Sequence, residues 1–181
     1  MTPVTRMWLG FAALGAALIH LAVGAGAPLP LSILLVGFGL AELGWAVVTL
    51  AQTRPVATRV AFGASLIPVL VFAATATLGS GLGVSAAETG LPMYPMVIAS
   101  LFNLFLAGSL AVIIRKKTHA SPATVSERAR KVAQPGGWRF LTALVVAGLV
   151  VSGLTTPALA ATNAGLYAVP HGAPSGGHSS H

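Results

Sequence analysis

Three side chains are polar where almost everything around them is apolar: His20 within Met7 to Ala27, Glu42 within Pro30 to Ala51, and Asn103 within Tyr94 to Ile114. An imidazole and a carboxylate together can share a proton or hold a ligand, and an amide beside them can both donate and accept. A second set lies near the end of the chain, where His171, His178 and His181 stand among Gly, Ser, Ala and Pro. Imidazole is a good ligand for copper, zinc and nickel, and short His-rich tracts commonly bind metal. The spacing His178-Ser179-Ser180-His181 reaches one ion if the chain curls, which its glycines and serines permit. Met93 and Met96 add two thioethers, soft ligands that favour Cu(I). The plainer alternatives are an irregular tail and two ordinary apolar residues at the head of a helix.

The elements that must position these groups are membrane spans. Charged residues make up 7% of the chain and apolar ones 55%, whereas a soluble domain carries about a quarter charged residues. Five apolar stretches, about 7–27, 30–51, 60–78, 94–114 and 138–160, each approach the roughly 20 residues that cross a bilayer as a helix. The expected fold is all-α, a polytopic bundle of five spans. Residues 1–160 form the bundle, with a basic loop at 115–137, and residues 161–181 form a flexible His-containing tail. A cleaved signal peptide is the alternative for the first stretch, because Ala25-Gly26-Ala27 offers the small-residue pattern. Pro68 falls in the middle of the third stretch, where it is expected to kink the helix and free a carbonyl.

All ten Lys and Arg residues fall at alternate ends of these stretches: Arg6, then Arg54 and Arg59, then Arg115, Lys116, Lys117, Arg128, Arg130, Lys131 and Arg139. The positive-inside rule assigns those ends to the cytoplasm. The N-terminus is therefore expected inside, and the C-terminus outside the bacterial plasma membrane. A formal net charge of +7 reads as orientation and contact with anionic lipid, not nucleic acid, because the charge clusters where headgroups attract it at about 1 kcal/mol per residue. Without cysteine the chain has no disulfide, thiolate metal site or thiol nucleophile.

Counting about 1.5 Å per residue from the cytoplasmic ends puts His20, Glu42 and Asn103 at heights of about 20, 14 and 17 Å. An unpaired carboxylate at that depth costs roughly 3 kcal/mol even on the lenient insertion scale. Glu42 is therefore expected to face the bundle, neutral or paired, within reach of His20 or Asn103. A buried pair that only fixes helix register is the alternative to a working one. Small residues four apart, Ala12 and Ala16, Gly37 and Ala41, Ala107 and Ala111, Ala143 and Ala147, are expected where helices approach closely.

No G-x-S-x-G, P-loop, H-E-x-x-H or paired carboxylates occur, so enzymatic readings have no support. The leading expectation is a non-enzymatic protein that binds or delivers copper, or another transition metal, at the outer face. The alternatives are an accessory subunit of a larger membrane complex, and a small transporter or proton-coupled protein using His20 and Glu42. Leu18-Ile19-His20-Leu21-Ala22-Val23, the following Ala41-Glu42-Leu43 and the His/Gly-containing tail resemble a group of functionally uncharacterised small multi-span membrane proteins of high-GC Gram-positive bacteria. The resemblance implies the membrane fold and no activity.

Overall fold

The computed structural model describes residues 2–52, 55–81, 91–118 and 136–167, with side chains of the third helix described through Thr77. Among the described residues, five α-helices carry the fold: α1 (Pro3–Gly26), α2 (Leu29–Ala51), α3 (Thr58–Gly81), α4 (Met93–Thr118) and α5 (Gly137–Ala160), followed by a short 3-10 helix, Asn163–Tyr167. All five are long and apolar enough to cross a membrane. No strand occurs among the described residues.

The helices outrun the apolar stretches for local reasons. α1 begins at Pro3 instead of Met7 because the Thr2 hydroxyl accepts from the Thr5 N–H at 3.2 Å and proline occupies the first turn, both favourable helix starts. At its far end α4 runs past Ile114 through Arg115, Lys116 and Lys117. Cations suit a helix C-terminus, where unpaired carbonyls concentrate negative potential. α3 continues through Pro68, which lacks the N–H that would pair with the Ala64 carbonyl. The Ser65 hydroxyl does not replace it, since it donates to Phe62 O at 2.9 Å.

α1 is the central helix, packed against α2, α4 and α5, while α3 packs chiefly on α4. Half of the 24 residues of α1 are buried, as expected of a helix ringed by others. Small residues let α2 come close. A Cβ added at Gly10 would meet Leu50 Cγ at 2.5 Å, and one at Gly24 would meet Val36 Cγ2 at 3.0 Å. As the contact climbs fourteen residues along α1, from Gly10 to Gly24, it descends fourteen along α2, from Leu50 to Val36. That is the register of an antiparallel pair. Between them Gly39 lies against Leu21 and the Ala17 carbonyl. At the end carrying the basic residues, Arg6 Nη1 donates to Gln52 O at 2.6 Å and ties the start of α1 to the end of α2.

The remaining seams are ordinary side-chain packing. On α4, Phe102 fills the space over Gly15, where an added Cβ would stand 2.8 Å from its ring. Nearby, the rings of Trp8 and Phe105 meet tilted at 58°, centroids 6.4 Å apart, an arrangement aromatic rings favour. Of the expected small-residue contacts, Ala12, Ala16, Ala107 and Ala147 are buried, whereas Gly37 has open space around it. Gly39, two residues on, makes the approach on α2 because it faces α1.

Candidate functional site

The α1–α2 register that sets Gly39 against Leu21 also sets residue 42 beside residue 20. His20 Nδ1 lies 2.7 Å from Glu42 Oε2, a short hydrogen bond with one charged partner or one shared proton. The His20 side chain is 1% exposed and that of Glu42 is 12% exposed. The carboxylate therefore sits inside the bundle, not in the surrounding apolar phase.

Only one face of this pair is satisfied. Among the described residues, His20 Nε2 and Glu42 Oε1 are both buried without a hydrogen-bond partner. Three proton arrangements fit the 2.7 Å contact. In one, Nδ1–H donates to the carboxylate, Nε2 is a bare lone pair, and the pair carries a charge of minus one. With one proton more, either Glu42 holds it and donates to Nδ1 with the N–H on Nε2, or both ring nitrogens are protonated and the imidazolium donates Nδ1–H to the carboxylate; both leave the pair neutral. A single proton therefore separates a buried anion from a buried neutral pair.

Asn103 completes the set differently from what the shared depth suggested. It is fully buried, yet among the described residues neither its Oδ1 nor its Nδ2 has a partner, so it bonds to neither His20 nor Glu42. An unpaired buried polar group costs about 1 to 3 kcal/mol, and Asn103 carries two such atoms. Instead, Asn103 and Glu42 line the same cavity, of about 180 Å3, bounded by Phe38, Ala41 and Trp45 from α2, Ala57 just before α3, Val60, Ala61, Ala64 and Ser65 from α3, Ala13 from α1, and Leu106 and Leu110 from α4.

The cavity exists because α2 leans on α1 and α3 leans on α4, so two helices consecutive in the chain stand apart. Trp45 spans them at the basic end, its indole N–H donating to Val56 O at 2.9 Å. Phe38, Ala41, Glu42 and Trp45 follow the i, i+3, i+4, i+7 spacing of one helix face. That spacing was legible in the sequence, and it marks the two aromatic residues and the acid as neighbours. Ser65, the buried hydroxyl on the opposite wall, carried no such signal.

Met93 and Met96 are not drawn into this site. Met96 is buried and Met93 half exposed at the head of α4. His171, His178 and His181 lie outside the described residues, as do Arg128, Arg130 and Lys131. Arg115, Lys116, Lys117 and Arg139 are exposed near the helix ends. Among the described residues no three His, Asp or Glu side chains group as metal ligands would. Comparison with protein families, curated proteins and solved structures finds no match to this chain.

Proposed function

We propose that this chain is a non-enzymatic, multi-pass protein of the bacterial plasma membrane, with its N-terminus inside and its C-terminus outside, in which the His20–Glu42 pair takes up and releases a proton together with a solute in the adjoining cavity. The observation that carries the reading is the half-satisfied pair: one carboxylate oxygen 2.7 Å from His20 Nδ1, the other buried and unpartnered in a residue that lines a cavity. A pair serving helix register alone gains nothing from a buried carboxylate oxygen left unpaired, which costs about 1 to 3 kcal/mol. Among the described residues the cavity walls add Ser65 and Asn103 and no second charge, so His20 is the one titratable group among them held against Glu42. Orientation follows from the basic ends, which the positive-inside rule places in the cytoplasm.

Infrared difference spectra of the purified protein in liposomes, recorded on stepping the pH, test the proton. The wild type is expected to show a carboxylic acid C=O band that appears on acidification and is missing from Glu42→Gln. Spectra of the two proteins that coincide throughout would refute the reading.

A further inference from the structure

We infer that the cavity between α2 and α3 is a binding site for a small lipophilic ammonium ion, an amine carried on an apolar body, with Glu42 as its counter-ion. The inference rests on the proton-exchanging pair proposed above and names the solute that accompanies the proton. When the pair gives up its proton it is left with a charge of minus one, facing walls that are almost wholly hydrocarbon. A cation delivered to Glu42 Oε1 restores neutrality, and its N–H groups supply hydrogen bonds that this oxygen and Asn103 Oδ1 lack.

The walls select the rest of the molecule. Phe38 and Trp45 flank Glu42 on α2, and aromatic faces attract ammonium groups through their ring quadrupoles. The indole is fixed by its bond to Val56 O at 2.9 Å, so the face is held in place before any ligand arrives. Size sets a ceiling. The volume is about 180 Å3, and a dry apolar cavity of about 150 Å3 accepts benzene, so the fit is to roughly six to ten non-hydrogen atoms. Entry is from the side. Ala41, Ala57 and Val60 line the cavity and are also exposed, and Ala41 and Val60 lie on helices long and apolar enough to cross a membrane. A solute that partitions into the bilayer reaches the site without crossing either end.

Calorimetric titration of the full chain in nanodiscs with phenethylammonium chloride tests this, with propylbenzene as the neutral molecule of the same shape. The wild type is expected to bind the ammonium at least tenfold more tightly than the hydrocarbon. Glu42→Gln should lose that preference, and Ala61→Phe, which fills the cavity from the α3 side, should weaken ammonium binding at least tenfold. Monodisperse elution and unchanged helical circular dichroism qualify each variant, and the comparison of the two ligands on the wild type needs no variant. Equal affinity for both ligands, or no ammonium binding by the wild type, would overturn the inference. Proton release measured in an indicator dye separates it from the reading beneath it. Failure to bind ammonium while the Glu42 infrared band persists removes the solute and leaves the proton. Glu42-dependent binding without proton release upholds the site and removes the proton exchange.

Discussion

Replacing Gly39 by Ala tests whether the α1–α2 approach holds the pair together. An added Cβ would stand 2.8 Å from Leu21 Cγ and 3.1 Å from the Ala17 carbonyl oxygen, where ordinary contact begins near 3.4 Å. The leucine can rotate away, but the carbonyl belongs to the α1 backbone and cannot. The helices must therefore part by a few tenths of an ångström, and overpacking of this kind costs about 1 to 3 kcal/mol. Alanine also gains about 1 kcal/mol of helix propensity over glycine, which would mask part of the cost. Gly37→Ala gives the same propensity gain two residues away, where nothing lies within 4 Å. The difference between the two variants isolates overpacking, and Gly39→Ala is expected to be less stable than Gly37→Ala by about 1 to 3 kcal/mol. Denaturant unfolding in one detergent, followed by far-ultraviolet circular dichroism, measures it. Equal stability of the two variants, or a more stable Gly39→Ala, would refute the close approach and with it the register that pairs His20 with Glu42.

Other perturbations follow from the same geometry. Glu42→Leu strands His20 Nδ1 as well as Nε2 and should cost about 1 to 3 kcal/mol in the same unfolding assay; Glu42→Gln, which keeps a partner for Nδ1, should cost less. Ala57 stands at φ 50° before α3, a region that costs a non-glycine residue about 1 to 2 kcal/mol, so Ala57→Gly should leave stability unchanged or raise it, and a clear loss would argue against that backbone. Arg6→Ala removes the exposed bond to Gln52 O and should lower stability by no more than about 1 kcal/mol. Reporters fused after Gln134 and after His181 should report opposite sides of the membrane, and finding both on one side would overturn the assigned orientation.

Composition and charge alone pointed to the five described helices that are long and apolar enough to cross a membrane and to the places where they end near basic residues, because apolar length and charge placement are properties of the chain itself. The same was true of the polar groups: His20, Glu42 and Asn103 stand out wherever apolar runs are read, and their matched depths follow from counting residues. Which of them touch did not follow, since depth leaves rotation about each helix axis open. Tertiary packing decided that, through Gly10, Gly24 and Gly39, which bring α1 and α2 close enough for His20 to meet Glu42 at 2.7 Å. Gly37, equally small in the sequence, faces open space, because a glycine matters only on the side where another backbone lies. Asn103 bonds to neither partner, and the cavity that it shares with Glu42 arises from α3 leaning on α4 instead of α2. No periodicity within a single helix encodes that choice, because it depends on how well whole faces fill one another's grooves.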